Sequence, residues 1–300
     1  NHLYKELKKV NVISIETYPG TYKDTLIEGL KDLFDVVIDT DTVNYAGKKL
    51  DSLLYEDLTD DRVFGYFTHK TLESITDKVL FEQLKEQVRS STEKMLLIGF
   101  GSSRFADDQV IIFTSVTRWE IQLRYRSQLV DNYNANNHGE DVLRMFKRGY
   151  FVDWRIADNY KDTLWNSINY YMDCDDIQHP KMMSKSHYQN ALNEVVTQPF
   201  MLVPYFDPGL WGGQWMKEKF NLSKDKPNFA WSFNGLPEEN AILLDFNGEK
   251  FRSQAMDLVL FTPYQLLGEK NLARLGREFP IRFDFLDTMD GGNQIGRAHV

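Results

Sequence analysis

Three groups of residues in this chain are candidates for phosphate chemistry by type and position. The first follows "KKVNVISIE", where Glu16 to Thr25 reads Glu-Thr-Tyr-Pro-Gly-Thr-Tyr-Lys-Asp-Thr at a strand-to-helix turn. A phosphate-binding loop at such a turn needs Gly, four residues, then Gly-Lys-Ser/Thr, so that backbone N–H groups and the lysine surround the phosphates. Here Glu16 stands in place of the first glycine and Gly20 is kept. Lys23 and Thr25 are displaced and separated by Asp24, an acid that repels phosphate. The second group is Gly99-Phe100-Gly101-Ser102-Ser103, also after a strand. Its backbone either binds an anion or makes a tight strand-to-helix turn. The third is Arg104, Arg118, Arg124 and Arg126, which form either a phosphate patch or a solvated face. His69, His138, His179 and His187 are scattered without ligand spacing, and none reads as metal-binding.

The elements that must position these groups alternate. "KKVNVISIE" is β-branched, and Leu26, Leu30 and Leu33 then recur at helical spacing with Asp24 placed to cap the first turn. "DVVIDT", "EKMLLIGFG" and "QVIIFTSV" are further strands, separated by helical stretches such as "LFEQLKEQV". The alternation predicts a parallel α/β layer with helices on its faces. "RWEIQLRYRSQL", "HGEDVLRMFKRG" and "KDTLWNSINYYM" continue as amphipathic helices.

Three hundred residues are more than one typical core needs, which favours two domains. An apolar share of 42% with 14% aromatics argues against disorder. Lys and Arg number 35 against 44 Asp and Glu, a formal charge of -9. That sign argues against a general nucleic-acid binder or a binder of anionic membranes, since both would be repelled at long range. Cys174 is the sole cysteine, so no intrachain disulfide forms and a cytoplasmic location is expected. No apolar run approaches a membrane span.

The first strand, loop and helix resemble the nucleoside-kinase branch of P-loop proteins in a degenerate form, and "TRWEIQLRYR" with "KRGYFVDWR" adds to the likeness. The resemblance implies a kinase-like scaffold over residues 1–197 that no longer turns over nucleotide. Around "VTQPFMLVPYFDPG" the texture changes to short β-type runs punctuated by Pro, Gly and Asn, among them "NFAWSFN", "AILLDFNG", "DLVLFTP" and "FPIRFDFLDT". Such runs predict an antiparallel sandwich or barrel beginning near residue 197.

In this second part the order of "LWGG", "NFAWSFNG", "PEENAIL" and "EFPIRFDFLDTMDGGN" resembles the class I mannose-6-phosphate isomerases, in a long form with an extra N-terminal domain. The likeness runs from Pro204 to Asn293, under a third of the chain, and the first and last blocks are its most specific parts. It implies the start of a cupin-type β-barrel over residues 198–294 and the interconversion of mannose 6-phosphate and fructose 6-phosphate. The substrate is then a sugar phosphate, and zinc acts as a Lewis acid on an enediolate while a side chain relays the proton. In the family the last block leads into Leu-Ser-x-Gln-x-His-Pro, whose Gln and His bind zinc. Here His299 falls on the histidine, but Arg297 falls on the Gln ligand and Val300 on the Pro. A cationic Arg cannot ligate zinc. "IGRAHV" is also what a common sequencing adapter encodes, so residues 295–300 are expected to be an artefact and the metal ligands to lie beyond this sequence. Candidates for the substrate pocket's edge are Trp211, Gly212, Gly213, Asp287 and Asn293. Asp284, where shorter family members carry an active-site Lys, is either an acid–base group or the polar face of a strand. The competing expectation is a non-catalytic sugar- or nucleotide-sensing protein whose sites have both decayed.

Overall fold

In a computed structural model the residues described are 10–62, 65–197, 202–205, 230–233, 235–236 and 241–254. One compact unit is built from residues 1–198 together with 246–253, and a second from 199–245 and 254–300.

In the first unit β1 (Val12–Glu16), β2 (Val36–Asp39), β3 (Met95–Gly99), β4 (Val110–Ser115), β5 (Tyr170–Asp173) and β6 (Lys181–Ser184) form one sheet in the order β2-β3-β1-β4-β5-β6. The first five strands run parallel, and β6 joins β5 antiparallel. All five residues of β3 are buried, and Ile13 and Ile15 of β1 are almost fully enclosed. A parallel strand covered on both faces needs such a run, which is why "MLLIG" and "VIIF" carry no polar alternation. One core cluster joins Val43, Val88, Met95, Leu97 and Phe105.

The helices are α1 (Lys23–Leu30), α2 (Gly47–Leu58), α3 (Lys78–Ser90), α4 (Arg118–Arg126), α5 (Val142–Arg148), α6 (Trp154–Leu164) and α7 (Lys185–Thr197). Asp77 caps α3 by accepting from Val79 and Leu80 N–H, and Thr117 caps α4 by accepting from Glu120 N–H. Asp24 does not cap α1 as expected. The cap position is Tyr22, which makes no side-chain cap bond, and Asp24 sits within the first turn. There it still favours the positive end of the helix dipole. A single π-turn, Gly149–Asp153, joins α5 to α6, with Gly149 pressed against the Trp154 ring.

The expectation of one helix through "KDTLWNSINYYM" is half right. Helix α6 stops at Leu164, and Tyr170 onward becomes β5. The aromatic residues Tyr170 and Tyr171 suit a pleated strand better than a continued helix. Tyr171 stacks on Tyr188 of α7 at 3.9 Å between ring centroids.

Of the second unit, β7 (Leu202–Tyr205) pairs antiparallel with β8 (Ala230–Phe233), and β9 (Gly235–Leu236) with β10 (Ala241–Phe246). The remaining residues of the expected barrel lie outside those described. The strand β11 (Glu249–Gln254) returns largely to the first unit. Arg252 N–H donates to the Asp173 carboxylate at 2.7 Å, and Phe251 is buried beside Tyr188. Among the described residues no helix is long and apolar enough to cross a membrane.

Candidate functional site

In open α/β sheets ligand crevices form beyond the carboxyl ends of the strands, where the strand order reverses. Here the chain leaves β1 toward β2, whereas β3 connects to β4 on the other side of β1. A cavity of about 610 Å³ opens at this end, between the loop Thr17–Thr25 and the segment Leu129–Asn136. Asp39 and Asp41, at the end of β2, also line it, as does His138. Gly20 turns the first loop at φ 96°, where an added Cβ would meet Ile121 at 2.9 Å. Asn134 and Asn136 both take positive φ in the second segment, a conformation asparagine tolerates.

The lysine that an intact phosphate loop would place on phosphate is already engaged here. Lys23 Nζ lies 2.8 Å from both Asp39 carboxylate oxygens and 2.5 Å from Asp41 Oδ2. Burial would lower the Lys23 pKa, but attraction to Asp41 and hydrogen bonds to both aspartates raise it, so the ammonium stays charged. Asp41 is held from its other side too. Its Oδ1 accepts from Phe100 N–H and from the Tyr133 hydroxyl, each at 2.8 Å. Burial pushes the Asp41 carboxyl up, and the Lys23 ammonium opposes that push.

The Gly99–Ser103 turn does hold an anion, and the anion belongs to the chain itself. Glu16 Oε2 accepts from Gly101 N–H at 2.8 Å, and Oε1 accepts from Ser103 N–H at 2.6 Å and from the Tyr160 hydroxyl at 3.2 Å. Glu16 is buried, and desolvation raises its pKa against the pull of those donors. The residue that breaks the phosphate-loop pattern in β1 therefore fills the second loop's amides.

The arginines are neither a patch nor, for two of them, a solvated face. Arg118 is 1% exposed, with Nη2 at 2.7 Å from Asp158 and its guanidinium over the Trp154 ring. It also donates to the Tyr18 hydroxyl, which itself donates to Asp158 Oδ1 at 2.8 Å. Arg124, fully buried, donates to the backbone oxygens of Gly20, Cys174 and Asp175 and pairs with Glu120. Arg104 donates to Gly101 O and Thr76 Oγ1, and only Arg126 is exposed. Lys161 completes the Asp158 cluster. Burial lowers its ammonium to about 8 despite the attraction of Asp158, and the Phe113 ring lies 5.0 Å away.

Asp175 anchors the start of α4 by accepting from Thr117 N–H at 2.7 Å and Thr117 Oγ1 at 2.9 Å. Burial pushes its carboxyl up to about 6, with the Thr117 amide opposing. A folded pKa above the unfolded value gives stability that is full below about pH 4 and lost as pH rises through about 6. Asp175→Asn keeps an acceptor for the Thr117 amide and a donor for its hydroxyl, without the charge. This substitution is expected to stabilise the first unit by about 2 kcal/mol at pH 7 and to flatten its stability between about pH 4 and 7. Urea denaturation at pH 4.5 and 7.5 checks this prediction. A variant less stable than the parent at pH 7.5 contradicts it.

Sequence reasoning missed Asp39, Asp41, Asp158 and the Asn132–Asn136 run. The pair of acids directly after "DVVI" and the density of asparagine in "NYNANNH" were the available signals. Trp211, Gly212, Gly213, Asp284, Asp287, Asn293 and His299 lie outside the described residues. Among the described residues no group of three or more His, Cys, Asp or Glu is arranged to hold a metal ion.

No curated protein matches the chain. Residues 1–197 match the model of the Domain of unknown function (DUF8485) along two-thirds of the sequence, and the chain belongs to that family.

Proposed function

We propose that the first unit is a degenerate P-loop-kinase-like domain that binds a small molecule without transferring phosphate. We propose further that it serves as the accessory domain of a class I mannose-6-phosphate isomerase. The observation that carries the first half is the occupation of both phosphate-binding devices by the chain's own carboxylates. Lys23 is neutralised by Asp39 and Asp41, and the Gly101 and Ser103 amides by Glu16. Phosphoryl transfer relies on such amides and cations to offset charge on the transferring group. The β2-β3-β1-β4-β5 order, with the loop after the central β1 lining the cavity, supports the kinase-like reading.

The isomerase half is supported by the order of the blocks between Pro204 and Asn293. The residues present do not fit the zinc that this chemistry implies. Arg297 stands where the Gln ligand belongs, and the described residues offer no ligand cluster. No step is therefore assigned to Asp284 or to any other residue of this chain. The test is to recover the coding sequence that follows Asn293 and assay the product for mannose 6-phosphate isomerisation with and without a chelator. Chelator-sensitive isomerisation is expected. A native continuation lacking Gln-x-His-Pro, with no activity, returns the protein to the second reading, a non-catalytic sugar or nucleotide sensor. Within that second reading the engaged Lys23 favours a sugar over a nucleotide.

A further inference from the structure

We infer, resting on the reading of the cavity between the 17–25 loop and the 129–136 segment as a ligand site, that it takes a donor-rich small molecule without phosphate. Such a ligand carries several hydroxyl groups, ammonium groups or both. The charge of the lining points there first. Among the described residues that line it, Lys23 is the one lysine or arginine, against Asp24, Asp39, Asp41 and Asp131. Lys23 is moreover shared between two of these acids, so it offers an incoming anion little net field. Arg124, which contacts Gly20 of the lining, spends its guanidinium on Gly20 O, Cys174 O and Asp175 O.

The hydrogen-bonding capacity of the lining points the same way. An ionised carboxylate only accepts, so the lining acids not already spent on Lys23, namely Asp24 and Asp131, call for donors on the ligand. Asp39 keeps 38% of its side chain exposed although Lys23 touches both its oxygens, and Asp24 and His138 are exposed at the rim. Phosphate groups at neutral pH are mainly acceptors and would face these carboxylates unpaired. Hydroxyl and ammonium groups satisfy them.

Two matched pairs of probes isolate the phosphate: glucose with glucose 6-phosphate, and glucosamine with glucosamine 6-phosphate. Titration calorimetry on the whole chain is expected to show one or both unphosphorylated sugars binding at least tenfold tighter than their phosphates. The glucose pair reads the hydroxyl contribution and the glucosamine pair the ammonium. Asp131→Asn, at the cavity wall, is expected to narrow the gap within each pair at unchanged thermal midpoint. Either phosphate binding as tightly as its parent sugar overturns the inference while leaving a ligand site in place. Failure of both parent sugars to bind at millimolar concentration overturns the inference and the ligand-site reading of the cavity together. Neither outcome alters the chelator test of isomerisation, so the two readings fail separately.

Discussion

Arg118→Met is expected to cost the first unit about 3–5 kcal/mol, because it leaves the Asp158 carboxylate buried without its closest cation. Arg118 and Asp158 are both almost fully enclosed, and Nη2 and Oδ2 are 2.7 Å apart. Methionine matches the length of the arginine stem but supplies no donor, so the Tyr18 hydroxyl loses a partner as well. Arg155, at 4.0 Å from the same carboxylate, is too distant to compensate fully. For a unit of this size the loss corresponds to a fall in Tm of roughly 6–20 °C. The double variant Arg118→Met with Asp158→Leu removes both charges, and it is expected to cost well below the sum of the two single changes. Thermal and urea denaturation of all three variants measures this coupling. Additive costs, or an Arg118→Met effect under about 0.5 kcal/mol, would show that the pair is not a buried ion pair in solution.

Glu16→Ala is the second large effect. Its carboxylate satisfies the Gly101 and Ser103 amides, and without it one buried and one partly buried N–H group lose their acceptor. At about 1–3 kcal/mol for each orphaned group, and with the cost of burying a carboxylate removed, a net loss of about 2–4 kcal/mol at pH 7 is expected. The sign of the pH dependence follows from burial. The folded pKa of Glu16 lies above its ordinary value, so Glu16 contributes most at low pH and less as pH rises through that folded pKa. The alanine variant therefore loses more relative to the parent at pH 4 than at pH 8. The vacated position is the size of a small carboxylate, so formate is expected to raise the variant's Tm and leave the parent's unchanged. A variant of parental stability that formate does not affect would contradict the assignment of Glu16 as an internal anion.

The alternation of strands and helices was legible in the sequence because a parallel sheet needs unbroken apolar runs, and "MLLIG" and "VIIF" have them. The end of α6 was not, since the aromatic run could continue a helix, and only the pairing of β5 with β4 and β6 and the packing of Trp165 and Tyr171 against Tyr188 end the helix at Leu164. The departure from the phosphate-loop pattern was legible at Glu16 and Asp24. What the departure does was not. Glu16 meets Gly101 across 85 residues, and Lys23 meets Asp41 across 18, pairings that exist only once β1, β2 and β3 lie side by side. Arg118 and Arg124 read as solvated because arginine usually is. Their burial depends on Asp158 and on the carbonyls of Cys174 and Asp175, supplied by elements far along the chain.

Lys23 and the Gly101 and Ser103 amides are occupied by the chain's own carboxylates, the claim on which the proposed lack of phosphoryl transfer rests. Titration of the whole chain with ATP, with and without magnesium, tests it most directly. The claim predicts no saturable binding up to millimolar nucleotide and no release of phosphate on prolonged incubation. Micromolar binding that is abolished by Lys23→Ala would mean that Lys23 leaves Asp39 and Asp41 for the nucleotide, and the claim would be wrong.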